Sequence, residues 1–227
     1  MTLQKKTIIV AAVVAFILVL DQVIKVYVKT HFAPYDSYPL LGNWFVAEYI
    51  ENQGMAFGTV FGSQAWHKLA LSIFRIVAIS AIVYYWIKQA KRGVPMECLL
   101  AIGFVMAGAT GNLIDSMFYD FIFEYDPCVR FNFLEGSGIE HDCAFWGIQE
   151  TRHTGFLQGN VVDMFRFNAT WPQWVPWLGG EQVFPAIWNV ADGAITLGVI
   201  MVFIRQRKYF PKKEKVHSEE APTELTD

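Results

Sequence analysis

Long apolar runs broken by a few polar positions are the dominant pattern of this sequence. Four runs stand out, at about 7–28, 69–87, 97–115 and 184–204. A helix needs about 20 apolar residues to cross about 30 Å of hydrocarbon, and each run approaches that length. The pattern therefore predicts an all-α membrane protein, a bundle of four transmembrane helices.

The first run has a second interpretation. Lys5 and Lys6 followed by an apolar stretch are also typical of a secretory signal peptide. However, Asp21 follows the run where small residues should precede a cleavage site, and no Ala-x-Ala pattern is present. We therefore predict a retained span.

The basic residues predict the orientation of the chain. They concentrate before the first run, between the second and third runs, and after the fourth run: Lys5, Lys6, Lys88, Lys91, Arg92, Arg205, Arg207, Lys208, Lys212, Lys213 and Lys215. All three segments fall on one side of a four-span protein, and the positive-inside rule makes that side cytoplasmic. The connections 29–67 and 116–183 are then exported, and the second holds nine acidic residues against three arginines.

The exported connections differ in character. Residues 43–50 are aromatic and β-branched, and Asn52, Gly54 and Gly58 follow them, which predicts a strand and a turn. This strand is the small exported β element of the predicted fold. The second connection contains the sequence WPQWVPW at 171–177, and tryptophan rings favour the membrane interface. We expect residues 1–210 to form one membrane domain and the polar segment 211–227 to be a disordered cytoplasmic tail.

Composition agrees with a membrane protein. The chain of 227 residues is 54% hydrophobic and 17% charged, with a net charge of −3. These values exclude a disordered chain and disfavour both a soluble globule and a nucleic-acid binder with a basic face. Three cysteines, Cys98, Cys128 and Cys143, are too few and too scattered for a disulfide scaffold or a zinc site.

Carboxylates and amides in or beside the apolar runs are the candidates for chemistry, because an ionisable group in a membrane is costly. They are Asp21, Asn112, Asp115, Asp163, Asn189 and Asp192. Two Asn–Asp pairs are spaced three apart and so share a helix face. Asp192 would lie ~12 Å below the surface if the fourth helix began at 184. Asp21 and Asp115 lie near predicted span ends, so an interfacial or capping role stays open for both.

Two converging carboxylates can perform general acid–base chemistry when they share one proton. The five histidines are dispersed, and the sequence contains no Gly-x-Ser-x-Gly, His-Glu-x-x-His or P-loop motif. A metal cluster of Asp21, Asp115, Asp163 and Asp192 is an alternative, but it lacks His and Cys ligands.

Five short motifs occur in one order along the chain. They are Asp21 with Lys25, NQGMAFG at 52–58, GNLID at 111–115, VVDMF at 161–165 and WNVAD at 188–192. In this order the chain resembles the bacterial lipoprotein signal peptidases, the signal peptidase II family. The resemblance implies an aspartic endopeptidase of the bacterial inner membrane that removes the signal peptide from diacylglyceryl-modified prolipoproteins, cutting just before the lipidated cysteine.

Position by position, the resemblance assigns Asp163 and Asp192 as the catalytic pair. It assigns supporting or substrate-binding roles to Asp21, Asn52, Gly54, Asn112, Asp115 and Asn189. One aspartate would take a proton from water, and the other would stabilise the tetrahedral oxygen and protonate the leaving nitrogen. The expected partners are lipid-modified prolipoproteins and membrane lipids, with no metal, organic cofactor or nucleic acid, and we expect a monomer.

The chain departs from the family pattern in two places. Ser116 stands where the family has an arginine, and Arg152 and Arg166 are the candidates for its replacement. The segment 116–160 is also much longer than usual, and we expect it to form a flap over the exported face. Its Cys128 and Cys143 form either a disulfide or two free thiols.

Two other functions fit parts of the pattern. A proton-coupled transporter would use Asp192 and Asp115 as a proton relay. A non-catalytic lipoprotein-binding or assembly factor would use the same cavity without cleavage. The cytoplasmic halves of the four spans are apolar apart from Arg75, which favours the outward-facing peptidase.

Overall fold

The structure is a computed structural model that describes residues 1–53 and 62–209. Its helices are α1 (Leu3–His31), α2 (Ala65–Lys91), α3 (Met96–Ile122) and α4 (Val190–Tyr209). Its strands are β1 (Ser37–Leu41), β2 (Phe45–Asn52), β3 (Glu140–Cys143), β4 (Gly147–Glu150), β5 (Val161–Phe167) and β6 (Ile187–Trp188).

Three helices, α1, α2 and α3, are long and apolar enough to cross a membrane. Large apolar side chains on these helices point outward, among them Phe16 on α1 and Phe74 on α2. In water such a surface would be unfavourable, but hydrocarbon chains are as apolar as the side chains themselves. The predicted spans at 7–28, 69–87 and 97–115 each lie within one of these helices.

The fourth apolar run does not begin as a helix. Residues 187–188 pair with β5 as strand β6, and α4 begins only at Val190. The prediction of a helix from 184 was therefore wrong at its start, and Asp192 lies in the first turn of α4 rather than ~12 Å along it. Apolar residues that complete a sheet edge and apolar residues that enter a membrane look alike in sequence.

Helix α3 is the centre of the bundle, because its contacts with α1, α2 and α4 are each more extensive than those of α1 with α2 or α4. The α3–α4 contact is closest at Gly108, where a Cβ would lie 2.1 Å from the carbonyl oxygen of Ala191. A second close approach occurs at Gly198, 2.5 Å from the carbonyl oxygen of Ala101 by the same measure. Small residues in membrane helices allow backbones to approach in this way.

A four-stranded antiparallel sheet in the order β1-β2-β5-β6 covers one end of the bundle. The predicted strand at 43–50 corresponds to β2, but the sheet is larger than the small β element expected from sequence. Its inner face packs on α1 and α3 through one cluster: Val28, Tyr49, Tyr119, Val162 and Met164. This cluster fixes the sheet, and therefore β5, above the ends of the helices.

The long segment between α3 and β5, predicted to be a partly ordered flap, contains regular structure. Strands β3 and β4 form a hairpin, and a disulfide joins Cys128 to Cys143. Buried Arg152 binds Asp120 at 2.7 Å and donates to Asn132 Oδ1 at 2.8 Å. These contacts attach the segment to the end of α3.

The α3–α4 contact can be tested with Gly108→Val. The added side chain would overlap the Ala191 carbonyl, so the two helices must separate. We expect a loss of about 1–3 kcal/mol in unfolding free energy, measured as a lower Tm in detergent micelles. Ser80→Val, at an exposed position of α2, is the matched control and should leave Tm unchanged. Equal Tm values for the two variants would contradict the close contact.

Candidate active site

A buried ion cluster joins α1 to α3. The Lys25 ammonium lies 2.9 Å from Asp21 and 2.8 Å from Asp115, and all three side chains are at most 1% exposed. Asp21 lies one helical turn before Lys25, so the two side chains share a face of α1. Asp115 reaches the same ammonium from α3. Both aspartates are buried inside the protein, unlike residues that face lipid headgroups at its surface.

Neighbouring groups complete the hydrogen bonding of this cluster. The Gln22 amide donates to Asp115 at 2.9 Å and accepts from the Tyr119 hydroxyl at 3.1 Å. The backbone N–H of Ala191, in α4, donates to Asp21 at 2.9 Å, and that of Val162, in β5, donates to Asp115 at 3.3 Å. The cluster therefore binds four elements: α1, α3, β5 and α4.

Asp163 lies on β5 with its carboxyl group enclosed by two amides. Asn52, at the end of β2, donates to one carboxyl oxygen at 2.8 Å, and Asn189 donates to the other at 2.6 Å. Residues 50 and 163 are paired across the strands, which brings the end of β2 beside Asp163. The side chain is 2% exposed.

Asp192 is fixed by the start of α4. Asn189 precedes the helix, and its side-chain oxygen accepts from the Asp192 N–H at 2.9 Å, while the Asp192 carboxylate accepts from the Asn189 N–H at 3.4 Å. This reciprocal pattern is a capping box, formed here by Asn and Asp. The sequence WNVAD thus gives the helix its first turn and places the carboxylate beside Asn189, which also binds Asp163.

Asn112 connects the ion cluster to Asp192. Its side-chain nitrogen donates to Asp192 at 2.8 Å, and its side-chain oxygen accepts from Lys25 at 2.9 Å and from Asn189 at 3.2 Å. Since both ends of the amide are used, its orientation is determined by its partners. The two aspartates and the ion cluster form one continuous network.

The electrostatics of Asp163 favour its protonated form. Burial raises the pKa of the Asp163 carboxyl to about 8, and the negative charge of Asp192 contributes in the same direction. The amides of Asn52 and Asn189 oppose this change, since they stabilise the carboxylate, but burial outweighs them. At neutral pH, Asp163 therefore carries a proton that a solvated aspartate would have lost.

A cavity of about 790 Å³ opens beside Asp192. Its lining combines polar residues, Asn52, Asn112 and Asp192 among them, with apolar residues such as Ile195 and Leu197. A group that combines a polar centre with an apolar portion fits such a lining.

The structure brings together seven of the eight residues proposed from sequence: Asp21, Asn52, Asn112, Asp115, Asp163, Asn189 and Asp192. Gly54 lies outside the described residues. The four aspartates named as a possible metal cluster bind Lys25 and amide groups instead. Among residues 1–53 and 62–209, no group of three or more His, Cys, Asp or Glu side chains is arranged to hold a metal ion.

Sequence reasoning missed the central position of Lys25 and the place of Arg75 in the cavity wall. Both are charged residues in apolar helices, where a charge is energetically costly. Their presence there was the signal that the sequence offered. The two suggested replacements for the arginine at 116 are engaged elsewhere. Arg152 binds Asp120, and Arg166 binds Glu48.

The fold has counterparts among solved structures. One, a bacterial membrane enzyme solved in meso at 2.3 Å, superposes with a TM-score of 0.58 at 23% identity, covering 91% of this chain and 93% of that one. A second, at 1.9 Å, gives a TM-score of 0.56 at 23% identity over 88% and 92% of the two chains. At this identity the likeness shows the fold alone.

Buried Asp163 and half-buried Asp192 are joined by asparagines in a fold with three helices apolar enough to span a membrane, and two neighbouring carboxylates can perform the acid–base chemistry of an aspartic peptidase. Residues 13–207 match the model of one such family, described as Signal peptidase (SPase) II, and the chain belongs to that family. It is 36% identical over 203 residues to the lipoprotein signal peptidase of Porphyromonas gingivalis, covering 86% of this chain and 81% of the relative. The lipoprotein signal peptidase of Amoebophilus asiaticus is 34% identical over 217 residues, covering 92% and 80%.

The ion cluster predicts a large effect for Lys25→Met. Removal of the only cation between Asp21 and Asp115 in this cluster leaves two buried carboxylates uncompensated, which costs about 3–5 kcal/mol in unfolding free energy. Thermal unfolding in micelles measures the loss. Lys5→Met, at an exposed position of α1, is the matched control and should be neutral.

A triple variant separates charge from packing. Lys25→Met combined with Asp21→Asn and Asp115→Asn removes all three charges, so it should be more stable than Lys25→Met alone. A triple variant that is less stable than the single variant would show that buried charge is not the cause.

Proposed function

We propose that this protein is the endopeptidase that removes the signal peptide from diacylglyceryl-modified prolipoproteins and cuts just before the lipidated cysteine. The observation that carries the proposal is the pair Asp163 and Asp192, both bonded to Asn189, beside a cavity lined by polar and apolar residues. Membership of the signal peptidase II family supports it.

The two aspartates divide the chemistry according to their surroundings. Asp192, which lines the cavity, takes a proton from water, and the hydroxide attacks the carbonyl carbon of the scissile peptide. Protonated Asp163 donates a hydrogen bond to the carbonyl oxygen as it becomes negative. When the C–N bond breaks, Asp163 gives its proton to the leaving nitrogen. The pair still holds one proton, now on Asp192.

The side-chain amides of three asparagines fix the positions of the two aspartates. Asn52 and Asn189 fix the two oxygens of Asp163, and Asn112 fixes Asp192. Asp21 and Asp115 support the pair indirectly, because they bind Lys25, which donates to Asn112. Fixed donors need no reorganisation during the reaction, which is the main way in which enzymes stabilise developing charge.

The cavity accounts for the substrate. Its polar residues accept the peptide bond, and its apolar residues, which include Ile195, Leu197 and Ile200, accept apolar parts of a lipid-modified substrate. Curated relatives bear the name lipoprotein signal peptidase. The partners we propose are therefore lipid-modified prolipoproteins and the surrounding lipids, bound by a monomer.

We place the protein in the bacterial inner membrane with α4 as its fourth span and the sheet on the exported side. With 20 residues, α4 is ~30 Å long. At the end opposite the sheet, Lys6 donates to the Val94 carbonyl and Lys208 binds Glu97, so the basic segments meet at one surface. The Cys128–Cys143 disulfide suits an oxidising exported compartment.

The end of the bundle opposite the sheet is apolar, which favours a peptidase over a proton-coupled transporter. Apolar clusters occupy that end, including Val10 with Leu99 and Cys98 with Ile102. A proton relay needs polar groups along a path to both sides, and in the described part of the chain the Asp115–Asp192 network lies toward the sheet.

The catalytic assignment is tested with Asp163→Asn and Asp192→Asn. Each keeps the size of the side chain but removes the exchangeable proton, so cleavage should fall by at least about 10³-fold. The measurement is release of signal peptide from a purified diacylglyceryl prolipoprotein. Asp142→Asn, at an exposed position of β3, is the matched control and should cleave normally. Substantial turnover by either site variant would overturn the assignment.

The pH dependence follows from the pKa of Asp163. Because that pKa is raised to about 8, the proton is held below pH 8 and lost as the pH rises through it. Cleavage should therefore decline above about pH 8, and kcat/KM against pH measures the decline, because it reports the pKa values of the substrate-free enzyme. A rate that keeps rising to pH 10 would exclude protonated Asp163 as the acid. The Asp142→Asn control should follow the wild-type profile.

A further inference from the structure

Arg75 is a guanidinium inside a helix that is apolar enough to cross a membrane. It lies ~15 Å along α2 from Ala65, at ~1.5 Å per residue. An arginine at such a position is costly and faces the bundle interior or a wet cavity. Arg75 meets this expectation, because it lines the same cavity wall as Asn52, Asn112 and Asp192.

The contacts of Arg75 lead to the aspartate pair. Its Nη1 donates to the Ser116 hydroxyl at 3.3 Å, and that hydroxyl donates to the backbone carbonyl oxygen of Asn112 at 3.3 Å. Asn112 in turn binds Asp192. The positive charge of Arg75 also interacts with the charges of Asp192, Asp115 and Asp163. The guanidinium is thus held beside the reacting groups by a buried hydroxyl of α3.

At position 116, where the resemblance predicts an arginine, the structure has a serine whose hydroxyl accepts from Arg75. Arg152 and Arg166, the other two candidates, pair with Asp120 and Glu48 instead.

We propose that Arg75 is a substrate-positioning residue whose guanidinium donates hydrogen bonds to carbonyl oxygens of the substrate beside Asp192. A guanidinium has five N–H donors and no acceptor, so its partner in the cavity must be an acceptor. The substrate has two kinds of carbonyl acceptor, the peptide carbonyls of the signal peptide and the ester carbonyls of the diacylglyceryl group. This inference rests on the proposed function.

The test compares steady-state cleavage by wild type, Arg75→Gln and Arg130→Gln. Loss of a hydrogen bond from a charged donor should raise KM about tenfold or more for Arg75→Gln and leave kcat within about threefold. Arg130, exposed outside the cavity, is the matched control and should behave as wild type. An unchanged KM, or a fall in kcat alone, overturns the proposal. Absence of cleavage by wild type would instead refute the proposed function itself.

A second variant keeps the proposal testable if removal of the charge prevents folding. If Arg75→Gln does not fold, Arg75→Lys takes its place; it keeps the charge but loses the fork of donors, so KM should rise by a smaller factor, and an unchanged KM overturns the proposal.

Ester-linked and ether-linked lipid substrates identify the source of the carbonyl. If Arg75 binds the ester, the wild-type KM should be higher for the ether-linked substrate than for the ester-linked one. The KM of Arg75→Gln should then be the same for both substrates. If Arg75 binds the peptide, Arg75→Gln should raise KM equally for both. Either pattern supports positioning by Arg75, and a KM for Arg75→Gln equal to wild type on both substrates overturns it.

Discussion

The ammonium of Lys25 between Asp21 and Asp115 is the interaction on which the rest of the structure depends. Desolvating each of these ions costs several kcal/mol, and their mutual attraction compensates only with good geometry and added hydrogen bonds. The additional donors come from Gln22 in α1, Val162 in β5 and Ala191 in α4. Without α1 or α3 a buried charge would lose its ionic partner, and without β5 or α4 a buried carboxylate would lose a backbone N–H donor.

The position of the aspartate pair follows from this cluster. Asn112 accepts a hydrogen bond from Lys25 of the cluster and donates one to Asp192. The capping box of α4 adds hydrogen bonds between Asp192 and Asn189. Asp192 therefore contributes to the helix start and, in the proposed mechanism, to water activation. The raised pKa of Asp163 has a related origin, since enclosure by β5 and its neighbours removes the water that would stabilise the carboxylate.

Much of the fold could be predicted from the sequence, because a membrane span is a local pattern of apolar residues. The start of α4 could not, since residues 184–189 are apolar for a different reason and part of them completes the sheet edge at Ile187–Trp188. The candidate site residues were recognised from their order and from polar groups in apolar runs. Their partners were not, because contacts such as Lys25 with Asp115 or Arg75 with Ser116 join residues far apart in the chain. The catalytic roles of Asp163 and Asp192 stay predictions until cleavage is measured.

The orientation of the Asn112 amide has a consequence for how this chain can evolve. Its oxygen receives the Lys25 and Asn189 donors while its nitrogen serves Asp192, so aspartate at this position would lose a donor, and leucine would lose both functions. Each partner is constrained in the same way by the others, and a tolerated change at one position requires simultaneous changes on separate helices. We therefore expect substitutions to accumulate on the exposed apolar surfaces of the helices and on the β3–β4 hairpin, while the residues around Asn112 change only together.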